Sequence, residues 1–155
     1  MRFARIRPIA VPALLVAALA APALGQDATG AQLFADHCAA CHNEGGAGNP
    51  GLAPALNRPG FWDAFGDKGP DYLAGVIASG LMGTIVAGDE TYAGLIMPPQ
   101  SGLSDIEAAS VANWVLLEVG RDAPGAGPKV TPDLIAATRA AAPAARDLIA
   151  MRPEG

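Results

Sequence analysis

The sequence predicts an all-α fold in which short helices surround a group that is not part of the polypeptide. Four segments carry the start and stop signals of helices, and no segment shows the apolar–polar alternation between turns that indicates a strand. The chain of 155 residues contains 19 glycines and 14 prolines, whereas aromatic residues make up only 5% of it. A core with so few aromatic side chains leaves space for another group to complete it.

The first 25 residues are predicted to be an export signal. Arg2, Arg5 and Arg7 precede the apolar residues 9–21, and residues 23–25 (Ala-Leu-Gly) fit the small-x-small rule for cleavage. The apolar stretch is too short, and too often interrupted by proline, for a membrane span. We therefore expect a mature chain that begins at the next residue, lies in the periplasm and has no membrane span of its own.

Loss of this signal leaves an acidic chain. It removes three of the ten basic side chains and none of the fifteen acidic ones, so the formal charge becomes −8. Nucleic acid is a poor partner for such a chain, because phosphate contacts need clusters of Lys and Arg. A basic patch on a partner protein suits this charge better.

The first and the last helix of the main domain, which we expect to cover residues 26–120, begin with the same signal. A Thr-x-x-Gln capping box opens a helix over residues 29–41, and a Ser-x-x-Glu capping box opens one over residues 104–119. Gly120 is a natural end for the second of these. That helix is apolar on most sides, which predicts that it is buried between other elements.

A third helix is expected from Asp71 to Ser79, with Pro70 near its start and Gly80 at its end. The segments on either side of it, residues 43–60 and 83–100, are rich in glycine and proline. We expect these two segments to be loops that wrap around something, without strands.

Residues 121–155 are predicted to be a linker and a C-terminal helical extension. Residues 131–133 (Thr-Pro-Asp) give a helix start with proline at its first position, and Pro143 interrupts the helix. The extension has too few large apolar residues to form a core of its own. The helix start favours packing on a surface over a loose tail, and the sequence leaves open whether that surface belongs to the main domain or to a partner.

The two cysteines of the chain, Cys38 and Cys41, stand in the sequence CAACH directly before His42. A disulfide across so small a ring is usually labile and catalytic. A thioredoxin-like dithiol needs a βαβ frame, which this sequence does not show. A zinc site needs four ligands, and His37 and Cys38 point in different directions from a helix.

The fourth interpretation of CAACH, attachment of c-type haem, fits better. In a C-x-x-C-H motif the two thiols add to the two haem vinyl groups, and the histidine ligates the iron from one side. Export agrees with it, because bacteria attach this haem outside the cytoplasm. We therefore expect one haem c, held covalently by Cys38 and Cys41, with His42 as an axial ligand.

The opposite face of the iron needs a second axial ligand. The candidates are Met82, Met97, Met151 and His37, of which the histidine is too close to the first side to reach across. Met97 lies in the sequence GLIMPP, where two prolines stiffen the chain just before the long helix. We therefore predict His/Met ligation through Met97, which favours ferrous iron and raises the reduction potential.

Taken together, these motifs resemble the class I monohaem cytochromes c, and among them the bacterial periplasmic branch. The residues that carry the resemblance, between 29 and 120, are Gly30, Phe34, CAACH, Pro54, Leu56, GDETYAGLIMPP and Trp114. The resemblance implies the class I cytochrome c fold. It also implies that the carbonyl of Pro54 accepts a hydrogen bond from His42, and that Gly30 lets the first and last helices cross closely.

Three further residues are expected around the cofactor. The resemblance points to Arg58 and Trp62, which follow Pro54 at the place where the family has groups that bind haem propionates, and Tyr92 is expected to hydrogen-bond near Met97. Each has a plainer alternative, since arginine is most often solvated and tryptophan and tyrosine most often pack in a core.

These expectations lead to one-electron transfer rather than to catalysis. With both axial positions filled, substrate cannot reach the iron, and the sequence shows no acid–base pair, nucleophile or second metal. The expected partners are redox proteins, with a dehydrogenase as donor and a terminal oxidase or another cytochrome as acceptor. Two alternatives stay open: an electron-acceptor subunit of a periplasmic dehydrogenase, and a haem enzyme or ligand sensor with an open sixth position.

Overall fold

The computed structural model describes residues 29–119, 121, 125 and 127–153. The expected export signal and the expected helix end at Gly120 lie outside the described residues. The elements in chain order are α1 (Gly30–His37), α2 (Ala39–His42), α3 (Phe61–Ala64), α4 (Gly69–Ser79), β1 (Leu81–Ala87), β2 (Glu90–Met97), α5 (Asp105–Leu117), α6 (Pro132–Ala141) and α7 (Ala145–Ala150).

Helix starts follow the local signals of the sequence. Both capping boxes are formed: the Thr29 side chain accepts from the backbone N–H of Gln32, and Ser104 accepts in the same way from Glu107. The expected helix of residues 29–41 is divided at Cys38, which ends α1 and begins α2. Side-chain oxygens satisfy backbone donors that a helix start leaves unpaired, so these positions depend on few distant contacts.

Helices α1 and α5 cross closely at Gly30, as the resemblance implied. A Cβ atom at Gly30 would lie 2.5 Å from the carbonyl oxygen of Ser110 and 2.6 Å from the Cβ of Trp114. The rings of Phe34 and Trp114 meet next to this point, with 4.8 Å between their centroids. Only glycine fits between the two helices, so their separation is fixed by the absence of one side chain.

The all-α prediction is wrong for residues 81–97, which form an antiparallel hairpin of β1 and β2. Gly88 (φ +65°) and Asp89 make the two-residue turn, because glycine accepts the positive φ that such turns require. Two residues of β2, Ala93 and Gly94, stand opposite the single Thr84 of β1. This bulge breaks the alternation of apolar residues and hides the strand from a sequence analysis.

The bulge also decides which residues of β2 face the core. Leu81 pairs with Met97 and Ile85 pairs with Tyr92, so all four lie on the inner face of the hairpin. Tyr92 and Met97 are five positions apart and would lie on opposite faces of a regular strand. On the outer face, Met82 is 64% exposed.

The C-terminal extension packs on the main domain of its own chain. Helix α6 contacts α4 and α5, and α7 contacts β1 and α4. Ile135 is 0% and Leu148 is 2% exposed, and Gly75 of α4 makes room for Leu148, because a Cβ there would lie 2.3 Å from its Cδ2 atom. The side-chain amide of Asn113 holds the start of the extension through two hydrogen bonds of 2.8 Å to the backbone of Val130.

A second polar contact holds the same extension. The guanidinium of Arg139 on α6 pairs with the carboxylate of Asp105 at the start of α5 and donates to the carbonyl of Leu103 at 2.7 Å. The sequence left open whether the extension packs on the main domain or on a partner, and the structure shows that it packs on the main domain. Within the described part of the chain, no helix has both the length and the apolar character to cross a membrane.

Ile135→Ala is expected to lower the free energy of unfolding by about 2–5 kcal/mol, because it empties a fully buried site between α6 and the main domain. The measurement is urea unfolding of the haem-loaded protein, followed by circular dichroism. Ile106→Ala is the matched control, since Ile106 is 62% exposed and its loss should cost only about 0.5 kcal/mol. Equal losses in both variants would contradict the packing of the extension.

Candidate haem site

An apolar cavity opens among α1, α2, the loop after α2, α3, α4, the hairpin and α5. It contains about 1170 Å³ of space free of protein atoms, its open mouth included, which is large enough for a macrocycle. Most of its lining is aliphatic or aromatic. Among the lining residues are Phe34, Leu56, Trp62, Leu73, Val76, Ile77, Leu81, Ile85, Leu103, Val111 and Val115.

Both cysteines of CAACH line this cavity as free thiols, Cys38 half-buried and Cys41 exposed. Burial, and then the neighbouring Cys41, raise the pKa of Cys38 to about 11. A redox dithiol needs a thiolate with a lowered pKa, so this environment argues against the thioredoxin-like alternative. Within the described ranges, no three His, Cys, Asp or Glu side chains lie close enough to share a metal ion.

His42, the last residue of α2, is buried in the cavity wall. Its Nδ1 lies 3.0 Å from the carbonyl oxygen of Pro54 and donates to it, the hydrogen bond that the resemblance implied. Burial lowers the pKa of His42, although the bond to Pro54 offsets part of that shift. The imidazole is therefore neutral at pH 7 and its Nε2 keeps the lone pair that a metal ligand needs.

The loop after α2 returns Pro54 to His42 by a close approach of backbone to backbone. Gly48 (φ +79°) donates to the carbonyl of His42 at 2.7 Å. A Cβ at Gly48 would lie 2.4 Å from the backbone nitrogen of Ala55. Since both the backbone angle and the space require glycine, this residue fixes the path that brings the carbonyl of Pro54 to Nδ1 of His42.

The methionines differ in their access to the cavity. Met97 and Pro98 line it at the end of β2, and Met97 is half-buried there. Met82 lies on the outer face of the hairpin, and Met151 packs against the core without lining the cavity. His37 lines the cavity beside the cysteines, on the same helix turn as Cys38.

Two of the three other predicted cofactor residues lie at the cavity. Trp62 is 1% exposed, and its Nε1 donates to the carbonyl of Leu56 at 2.8 Å. Arg58 donates from Nε to the carbonyl of Ala55 at 3.2 Å and lines the cavity. Tyr92 is buried but is not among the lining residues, and its hydroxyl donates to the carboxylate of Glu90.

Sequence analysis missed Arg152, which reaches the cavity from beyond α7. Its guanidinium donates to the hydroxyl of Tyr72 at 2.7 Å and to the carbonyl of Val86 at 3.1 Å. No local motif marks this arginine, because its partners lie 80 and 66 positions earlier in the chain. Only the packing of the extension brings them together.

The residues around the cavity fit haem c. Its apolar wall suits a porphyrin face, its two thiols stand where vinyl groups can add, and a neutral imidazole and a thioether are the axial donors that cytochromes c use. The profile of the cytochrome c family matches residues 28–117, more than half of the chain, and ends before the C-terminal extension. No curated protein sequence matches the chain significantly. On this match, with a cavity and donor set that suit its cofactor, the chain belongs to the cytochrome c family, whose members hold haem c covalently through thioether bonds.

Proposed function

We propose that the protein is a periplasmic one-electron carrier with one haem c, bound through Cys38 and Cys41 and ligated by His42 and Met97. The observation that supports this most is that all four side chains line one apolar cavity. Met82 and Met151, the other methionines considered as ligands, do not line it.

When bound, the haem supplies the redox change, and the protein supplies orientation and a tuned environment. The bond from His42 to Pro54 fixes the ring and its tautomer, which sets the basicity of the donor. The thioether of Met97 is a soft, neutral ligand that favours ferrous iron. The apolar wall disfavours the additional charge of ferric iron, because a buried charge loses its hydration.

The mouth of the cavity suits brief contact with redox partners. Leu52 and Ile96 line the cavity and are 52% and 70% exposed, so two apolar side chains stand at its rim. An exposed apolar rim allows a partner to approach the haem edge and leave again. The export signal predicted from the sequence supports a periplasmic location. We propose a dehydrogenase as donor and a terminal oxidase or another cytochrome as acceptor.

The second candidate is an electron-acceptor subunit of a periplasmic dehydrogenase complex. It is favoured by the outer face of the hairpin, where Met82 and Ile96 are paired neighbours and Val86 is 54% exposed. The C-terminal extension does not add support for it, because its buried residues Ile135 and Leu148 pack on the main domain of the same chain. Purification from the periplasm at native levels decides between the two: a carrier elutes alone as a monomer, and a subunit elutes at fixed stoichiometry with a dehydrogenase.

Intact-mass measurement is expected to show one haem on the mature chain, and this haem should stay with the protein in acid–acetone because two thioether bonds hold it. Cys41→Ala should leave one bond and move the α band of the alkaline pyridine spectrum to longer wavelength. The double variant Cys38→Ala, Cys41→Ala should release all haem. A freely extracted haem in the unaltered protein, or stoichiometric zinc, would exclude the proposal.

Met97→Ala is expected to lower the reduction potential, remove the weak red absorption band of ferric Met–iron ligation and open the iron to cyanide. The physical reason is loss of the one thioether among the described residues that line the cavity. Met82→Leu and Met151→Leu are the matched controls and should leave potential and band unchanged. If Met82→Leu gives the high-spin spectrum instead, the ligand is wrongly assigned; if the unaltered protein already binds cyanide rapidly, the sixth position is open and the sensor or enzyme alternative gains.

A further inference from the structure

Two arginines from distant parts of the chain meet at one side of the cavity. Arg58 follows the loop that carries Pro54, and Arg152 follows α7 in the C-terminal extension. Both are half-buried and both line the cavity. Their guanidinium carbons lie 3.8 Å and 5.2 Å from the centroid of the Phe61 ring.

These two arginines differ from the other described arginines in their partners. Arg121, Arg139 and Arg146 each form an ion pair with an aspartate. Arg58 and Arg152 form no ion pair with any acidic residue that the structure describes, and their hydrogen bonds go to neutral oxygens. The two arginines without a described acidic partner are therefore the two that line the cofactor cavity.

Such a pair lacks a compensating negative charge. Burial, and then the charge of Arg152, lower the pKa of Arg58, so the two guanidinium groups repel each other. The other titratable groups that act on Arg58 are Tyr72 and Tyr92, which are neutral at pH 7. Glu90 is two positions before Tyr92 on β2, and its carboxylate accepts a hydrogen bond from the hydroxyl of Tyr92. Partly buried charges of one sign are costly without a counter-charge, so an anion on the cavity side would stabilise them.

We propose that Arg152 of the C-terminal extension joins Arg58 in binding the carboxylates of the covalently attached haem, so that the extension completes one wall of the cofactor pocket. Haem carries two propionate groups, and guanidinium is the side chain that pairs best with a carboxylate. The inference rests on the haem that the family attaches and not on the assignment of Met97. Arg152 lies beyond residue 117, where the family match ends, so this contact comes from outside the matched domain.

A carboxylate on a partner protein has the same chemistry as a haem propionate. Two observations favour the haem. Both arginines line the cavity itself, and Tyr72, which receives the hydrogen bond of Arg152, is only 3% exposed. A partner would have to enter the pocket to reach this bond, whereas the haem is already held there.

The test is the reduction potential of the isolated haem-loaded protein measured against pH. Ionisation of a haem carboxylate stabilises ferric iron, so the potential falls as pH rises through that carboxylate's pKa. A guanidinium beside the carboxylate lowers this pKa. In Arg152→Gln the carboxylate's pKa should rise, so the fall in potential is expected at a pH higher by about 1 unit or more.

Arg146→Gln is the matched control. It removes the same charge from the same extension, but its side chain is 87% exposed and pairs only with its neighbour Asp147. The position of its step should not change. Arg152→Lys keeps the charge with a shorter reach and is expected to move the step upward by less. It also carries the test if Arg152→Gln fails to fold, and an unmoved step would then overturn the proposal.

The outcomes separate this proposal from the ligand assignment. An unmoved step in Arg152→Gln, with haem mass and Met–iron band intact, overturns the proposal even if the variant is less stable, because Arg152 then only anchors the extension to Tyr72 and Val86. A step that moves only when a redox partner is added also overturns it, since the carboxylate is then external. If the step moves but the unaltered protein shows no Met–iron band, the arginine contact is supported and the assignment of Met97 as a ligand is wrong.

Discussion

The hydrogen bond from His42 to the carbonyl of Pro54 is the contact on which the cofactor pocket depends. It joins α2, where CAACH presents both thiols and the imidazole, to the loop that forms the next part of the wall. The bond exists because Gly48 lets the two backbones approach closely. Without it the ring would be free to rotate and to change tautomer, and the loop would lose its anchor beneath Arg58 and Trp62.

The helices were predictable from local signals, whereas the bulge in β2 concealed the hairpin. Capping boxes and the proline at the start of α6 act within one helical turn, so the sequence shows them directly. In β2 the extra residue at Ala93–Gly94 interrupts the two-residue period, and glycines in such a segment indicate a loop. The Gly88–Asp89 pair was the signal that could have revealed the turn.

The site was predictable where chemistry forces residues to be adjacent in sequence. The spacing of Cys38, Cys41 and His42 is set by the cofactor, so the motif alone indicates it. Arg152 and Tyr72 are 80 positions apart and meet only because α7 packs on β1 and α4. Tyr92 does not line the cavity, because nearness to Met97 in the chain does not determine where its side chain lies.

The bulge in β2 allows both Tyr92 and Met97 to lie on the inner face of the hairpin. Leu81 is paired with Met97 because two residues of β2 stand opposite Thr84; if the same sequence paired without the bulge, Ile96 would take that inner place and the thioether would face solvent. Deletion of Gly94 would leave Ala93 alone opposite Thr84 and would keep Met97 opposite Leu81. The strand thus carries an extra residue without changing which of these side chains face the core.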